Sequence, residues 1–173
     1  MNLIDIESLN AKEIEDIVSL ASQFRSDIGG FNQEPIYSDK KVGILFFEPS
    51  TRTKSSFEIA LLNLGAQYID IHPDSSSITK GESLENTIET LALMGIELFV
   101  IRHPDNVIYD LASKFPNLSF INAGAGITSH PTQALSDLLT VKEFKKDLSK
   151  LNISIIGDLD HSRVARSFIE LTK

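Results

Sequence analysis

A cluster of hydroxyl and basic side chains follows the apolar run 42–47. Ser50, Thr51, Arg52 and Thr53 open a helical pattern there. A helix N-terminus carries unpaired N–H groups and the positive end of the helix dipole, which favours an anion by ~0.3–1 kcal/mol. Hydroxyls add donors, and a guanidinium adds a forked donor that matches phosphate oxygens. Taken alone, however, the tetrapeptide is better explained as a helix cap beside a solvated arginine.

Three further segments place basic side chains at comparable positions. A serine-rich loop contains Lys80, Arg102 ends an apolar run, and His130 precedes a proline. Pro131 suits a first helical turn and keeps His130 out of the helical region, so the imidazole can project over the edge of a sheet. Gln133 lies one turn further along, with its amide on the same side. A polar surface loop or a solvated strand end would explain each segment separately.

The elements that position these side chains are strands and helices in alternation. Apolar runs typical of strands lie at 42–47, 67–71, 97–101, 118–122 and 153–157. Helical patterns lie at 53–64, 83–94, 105–115 and 131–147, and an earlier amphipathic helix begins after Asn10 with Glu13 completing a capping box. Gly65 and Gly95 are expected as C-terminal caps. The alternation predicts an α/β fold with a doubly wound, mostly parallel sheet and helices on both faces.

In such a sheet the carboxyl ends of the strands share one edge, where ligands bind. The four basic segments all fall at that edge, although the 173-residue chain has a formal net charge of −8. Basic side chains gathered on an acidic protein focus a field that suits a small, highly charged anion, such as a phosphate compound. The net charge also argues against nucleic-acid and membrane partners.

Several other kinds of site are disfavoured by the motifs that the sequence lacks. There is no cysteine and no H-E-x-x-H, and the four histidines are dispersed, so neither a metal nor a thiolate site is predicted. No dinucleotide fingerprint or P-loop is present, and no cofactor is expected. The N-terminus does not resemble a signal peptide and no apolar stretch approaches ~20 residues, so a cytoplasmic location is expected.

Together the motifs resemble the carbamoyltransferase family, and within it the aspartate carbamoyltransferases. The resemblance extends from the first helix to the end of the sequence and rests on FFEPSTRTKSSFE, SSSITKGES, IRHP, HPTQALSDLL and GDLDHSRVARS. The loop Lys80 favours the aspartate type, because the corresponding loop of the ornithine type lacks that lysine. The resemblance implies transfer of the carbamoyl group from carbamoyl phosphate to L-aspartate, giving N-carbamoyl-L-aspartate and phosphate in pyrimidine biosynthesis. Neither metal nor cofactor is implied.

The resemblance also assigns roles to individual residues. The phosphate is expected to be held by Ser50, Thr51, Arg52 and Thr53. Thr53, Arg102 and His130 are expected to hydrogen-bond the carbonyl oxygen, as an oxyanion hole would. Gln133 is expected to accept a hydrogen bond from the amide nitrogen of carbamoyl phosphate.

Other implied roles involve neighbouring subunits and the second substrate. Ser76, or its neighbour Ser77, and Lys80 are expected to reach into the active site of an adjacent subunit in a homotrimer. Arg163 is expected to bind a carboxylate of aspartate, and Glu48 to bridge two domains. Residues 1–149 would form the carbamoyl-phosphate domain, and 150–173 the first strand and helix of an aspartate domain whose remainder lies outside this sequence. The 173-residue chain alone is therefore expected to be inactive.

Several alternatives remain open from the sequence. The chain could belong to an ornithine-type or other carbamoyltransferase, or to a module that binds phosphate or carbamoyl phosphate without turnover. A structural α/β domain with incidental basic loops is a third reading. The final helix could equally be the last element packed on a single sheet or the beginning of a second domain. The family often has aspartate where this chain has Ala125, a departure that bears on the local loop.

Overall fold

The computed structural model describes residues 2–24, 36–72, 81–145 and 147–173. Within these ranges the elements are α1 (Ala11–Gln23), β1 (Lys41–Phe46), α2 (Thr51–Leu64), β2 (Gln67–Ile71), α3 (Leu84–Leu93), β3 (Leu98–His103), α4 (Ile108–Lys114), β4 (Ser119–Ala125), α5 (Pro131–Phe144), a 3₁₀ turn (Leu148–Lys150) and α6 (Arg163–Leu171). The four strands form one parallel sheet in the order β2-β1-β3-β4. The predicted α/β class is confirmed.

Apolar side chains cover both faces of the sheet, because alternate residues of a strand point to opposite sides. On one face Phe99 packs with Ile88 of α3 and Leu111 of α4. On the other face Ile44 packs with Leu61 of α2. Burial on both sides explains why the central strands β1 and β3 read as continuous apolar runs, as is usual for parallel sheets, whereas the edge strand β2 is only partly buried.

A third apolar cluster joins α1 to α5. Val18 of α1 packs there with Ala134 and Leu135 of α5. The predicted capping box of α1 is formed, since the Asn10 side chain accepts from the Glu13 N–H and the Glu13 carboxylate accepts from the Asn10 N–H. This apolar face of α1 packs on α5, which in turn contacts β4.

The fifth predicted strand, at 153–157, is wrong. No strand ladder forms there, and Ile156 is 96% exposed. A strand needs a neighbouring strand to pair its backbone groups, and none of β1 to β4 lies alongside. The helix that follows, α6, packs against α5 with Ala165 and Ser167 buried. No helix among the described residues is long and apolar enough to span a membrane.

Candidate active site

A cavity of about 840 Å³ opens where the N-termini of α2, α5 and α6 meet the ends of β1 and β3. Most of the residues with predicted roles line it: Ser50, Thr51, Arg52, Thr53, Arg102, His130, Gln133 and Arg163. These side chains share one cavity at the carboxyl edge of the sheet, as the sequence predicted for Arg52, Arg102 and His130. Ser76, Ser77 and Lys80 lie outside the described residues.

The first turn of α2 forms one wall of the cavity. Ser50 occupies the N-cap position without making a side-chain cap, and its hydroxyl instead accepts from Arg102 Nη1 at 3.2 Å. The first N–H groups of a helix have no partner within the helix. No acidic residue lies in this turn, and Thr51 and Arg52 are exposed. This wall therefore offers backbone N–H groups, hydroxyls and a guanidinium to an anion.

Next to the first turn of α2, the guanidinium groups of Arg102 and Arg163 share the carboxylate of Glu48. Glu48 Oε2 accepts from Arg102 Nε at 3.1 Å and from Arg163 Nη1 and Nη2 at 3.1 and 3.2 Å. Burial and the nearby Arg163 lower the pKa of Arg102, while Glu48 acts in the opposite direction. One negative charge thus faces two positive ones. The remaining positive charge lies at the cavity, where it would favour a bound anion.

A glycine makes room for both arginines. Gly124 has φ of 121°, and a Cβ built there would lie 3.3 Å from Arg163 Nε and 3.4 Å from Arg102 Nη1. Its N–H donates to the Oδ1 of the fully buried Asn122 at 2.8 Å, which fixes the end of β4. Arg163 Nη1 also donates to the Gly126 carbonyl at 2.8 Å. No role was predicted for either glycine or for Asn122, for which the NAGAG stretch at 122–126 is the available signal.

Ala125 is the position where the family often has aspartate. Its side chain is fully buried and belongs to the main core cluster. Its N–H donates to the Ser129 carbonyl at 3.0 Å, closing the turn that leads to α5. In this chain a methyl group packs at a position where a carboxylate would be buried.

His130 is buried, with 5% of its surface exposed. Burial, followed by the positive charges of Arg163 and Arg102, lowers its pKa from 6.5 to about 4. The imidazole is therefore neutral at pH 7, with one N–H donor and one acceptor nitrogen. Its Nδ1 has no hydrogen-bond partner among the described residues. The backbone N–H of His130 donates to the hydroxyl of the buried Ser167 at 2.8 Å, so α6 helps to hold the start of α5.

Gln133 lies one turn into α5, and its amide is hydrogen-bonded. The Nε2 group donates to Asp137 Oδ1 at 2.9 Å. Sequence reasoning missed both Asp137 and Ser167. The four-residue spacing of Gln133 and Asp137 was a usable signal, since such pairs face each other on a helix. Nothing in the sequence links Ser167 to His130, because they are brought together by the packing of α6 on α5.

Comparison with a family model identifies the family of this chain. Residues 1–143 match the carbamoyl-P binding domain of aspartate/ornithine carbamoyltransferases. The chain belongs to this family. The aspartate carbamoyltransferase catalytic subunit of Caldanaerobacter subterraneus subsp. tengcongensis is 45% identical over 168 residues, covering 97% of this chain and 55% of that protein. The catalytic subunit from Wolbachia sp. subsp. Drosophila simulans is 44% identical, covering 99% of this chain and 58% of that protein.

Solved structures of one family member agree with the fold. Aspartate transcarbamoylase from Trypanosoma cruzi in complex with carbamoyl phosphate and aspartate gives a TM-score of 0.88 at 33% identity, covering 98% of this chain and 53% of that one. Its ligand-free form gives a TM-score of 0.84 at 31% identity. This chain therefore spans a little over half the length of the relatives that it matches.

Proposed function

We propose that this chain provides the carbamoyl-phosphate half of an aspartate carbamoyltransferase site. The observation that carries the proposal is the cavity in which the N-terminus of α2, two guanidiniums sharing one carboxylate, and a neutral histidine meet. Such an arrangement stabilises a dianion beside a carbonyl group, which is the chemical character of carbamoyl phosphate. The names of the relatives support the same assignment.

In the proposed complex, each wall of the cavity contacts one part of the substrate. Ser50, Thr51, Arg52 and Thr53 hold the phosphate. Thr53, Arg102 and His130 donate to the carbonyl oxygen, and Gln133 accepts from the amide. Attack by the aspartate amine on the carbamoyl carbon places negative charge on that oxygen before phosphate leaves. Removing one donor from such an oxyanion hole typically lowers the rate by ~10²–10³.

We infer that the complete protein transfers the carbamoyl group to L-aspartate, in pyrimidine biosynthesis. Residues 1–149 form the carbamoyl-phosphate domain, and 150–173 begin the aspartate domain. Glu48 bridges the two, and Arg163 contributes to the aspartate site. The bridging role of Glu48 is supported by its carboxylate, which accepts from Arg102 in the first segment and from Arg163 in the second.

Binding to the 173-residue chain is the direct test. Calorimetric titration with carbamoyl phosphate is expected to give saturable binding that Arg52→Ala weakens at least tenfold. A matched control is Arg166→Ala, since Arg166 is an exposed arginine of α6 that does not line the cavity. Equal affinities for the wild type and Arg52→Ala would refute the phosphate-binding role of the α2 wall.

A second candidate is binding of carbamoyl phosphate by this chain without turnover. The family match favours it, because the match is to the carbamoyl-phosphate domain and the chain covers a little over half of its relatives. An assay for carbamoyl-aspartate separates the two when the complete protein is tested beside this chain, because the chain alone is expected to be inactive under either. Binding without product by the complete protein supports the module, whereas product from this chain alone would mean that the second substrate site is already complete.

We also propose that the complete protein is a homotrimer with shared sites, to which Ser76 or Ser77 and Lys80 contribute from a neighbouring subunit. Mixing Lys80→Ala and Arg52→Ala subunits of the complete protein is expected to restore part of the activity. Some mixed interfaces would then combine an intact Lys80 with an intact Arg52. Mixtures proven to have exchanged subunits, yet as inactive as either parent, would contradict a shared site.

A further inference from the structure

The amide of Gln133 has two ends with opposite hydrogen-bonding character. Its Nε2 group can only donate and its oxygen can only accept. In the structure Nε2 donates to Asp137 Oδ1 at 2.9 Å, one turn further along α5. A carboxylate oxygen can accept from that nitrogen, whereas the amide oxygen turned towards it would face a second acceptor. The pairing therefore selects one of the two orientations of the Gln133 amide.

Asp137 contacts Gln133 without lining the cavity itself. Gln133 lines the cavity, but Asp137 is absent from its lining. Among the described residues, the charged side chains of that lining are the three arginines Arg52, Arg102 and Arg163. A carboxylate placed among them would repel a phosphate, whereas one behind Gln133 can orient the amide without contacting the ligand. Asp137 accepts one of the two Nε2 hydrogens of Gln133 and so fixes the amide, whose oxygen is the acceptor that this side chain can offer to a ligand.

We propose that Asp137 is a positioning residue that makes Gln133 an acceptor, and that this selects ligands with an amide N–H. Carbamoyl phosphate carries an NH₂ group where acetyl phosphate carries a methyl of similar size. Only the NH₂ group can donate to the Gln133 oxygen; the methyl leaves that oxygen without a partner. The pair would therefore discriminate carbamoyl from acetyl compounds at this site. The inference rests on the proposed function, in which the carbonyl end of the ligand lies beside Gln133.

The test uses two hydrolysis-stable probes that differ at one group. Phosphonoacetamide has the amide, and 2-oxopropylphosphonate has a methyl in its place. The wild-type chain is expected to bind the amide about tenfold more tightly, which is the preference expected from one hydrogen bond. Asp137→Ala is expected to reduce that ratio to about 1. Asp137→Leu, which keeps more of the side-chain volume, is the second variant in case the first unfolds.

Two controls separate positioning of the Gln133 amide from a general loss of stability or of negative charge. Asp16→Ala removes the same charge from an exposed site on α1 and is expected to keep the tenfold ratio. Gln133→Ala is expected to abolish the preference, and adding Asp137→Ala to it should change the ratio no further, because the two residues act as one unit. The ratio of the two affinities is informative because a general loss of stability or of negative charge would affect both probes alike.

Each outcome has a distinct meaning. A preference that survives in folded Asp137→Ala or Asp137→Leu would overturn the positioning role. The positioning role would also be overturned if adding Asp137→Ala to Gln133→Ala changed the ratio of the two probe affinities. Equal binding of both probes by the wild type would overturn the selection of an amide while leaving an anion site intact. Failure of the wild type to bind either probe or inorganic phosphate would refute the proposed function itself.

Discussion

Replacing His130 tests the electrostatics of the cavity without any ligand. The imidazole is buried beside two guanidiniums, so its protonated form is disfavoured by desolvation and by like charge. His130→Asn removes the titrating group while retaining a polar side chain at the N-cap of α5. Because asparagine is itself a favourable N-cap, the informative quantity is the pH dependence of stability rather than its absolute value.

The magnitude follows from the pKa of His130, which falls from 6.5 to about 4 on folding. At ~1.36 kcal/mol for each pKa unit, the difference corresponds to about 3 kcal/mol. The folded pKa lies below the unfolded one, so the unfolded state binds more protons in between. This contribution is therefore fully present above about pH 6.5 and is lost as the pH falls towards about 4.

Urea unfolding at a series of pH values from about 4 to about 7 measures this contribution. The free energy of unfolding of the wild type is expected to fall more steeply with acid than that of His130→Asn, by about 3 kcal/mol over the whole range. His161→Asn is the control, since the His161 side chain is 71% exposed and lies outside the cavity. Parallel profiles for the wild type and His130→Asn would refute the argument from burial and neighbouring charge.

Three further substitutions probe the anion-binding wall and its support. Arg52→Ala should weaken phosphate binding at least tenfold while changing the unfolding free energy of the ligand-free protein by less than about 0.5 kcal/mol; a comparable loss of stability would make Arg52 structural. Gly124→Ala should cost about 1–3 kcal/mol in denaturant unfolding, because of its positive φ and the guanidiniums of Arg102 and Arg163 beside it; unchanged stability would show that the loop accommodates a methyl. Glu48→Gln should lower the melting temperature of the ligand-free chain, because two guanidiniums lose their carboxylate. Added phosphate should raise the melting temperature of Glu48→Gln more than that of the wild type. Equal increases in melting temperature would contradict this charge balance.

Much of the fold could be predicted because its signals are local. The capping box at Asn10 and Glu13, and the glycine at position 65, mark helix ends through their own backbone chemistry. Apolar runs located β1 to β4, and in the central strands β1 and β3 these runs reflect burial on both faces. The same signal failed at 153–157, since an apolar run specifies a strand only where another strand is available to pair with it.

The location of the site could be predicted because the topology of the sheet determines it. Parallel strands bring their carboxyl ends to one edge, so Arg52, Arg102 and His130 had to lie near one another. The contacts that orient these side chains depend on packing between distant segments. Ser167 reaches the backbone of His130 only because α6 packs on α5. A glycine is needed at position 124 because the guanidiniums of Arg102 and Arg163 lie where a side chain would be. Periodicity and composition contain no information of that kind.

The charge distribution connects ligand binding to the position of α6. Glu48 is shared by Arg102, at the end of β3, and Arg163, the first residue of α6. An anion in the cavity would compete with Glu48 for both guanidiniums, and its charge would reduce their mutual repulsion. Any ligand that attracts Arg163 must therefore weaken or reorganise the contact that holds the start of α6. Arg163, which lines the cavity, thus also helps to hold the start of α6, together with the contact between the Ser167 hydroxyl and the His130 N–H.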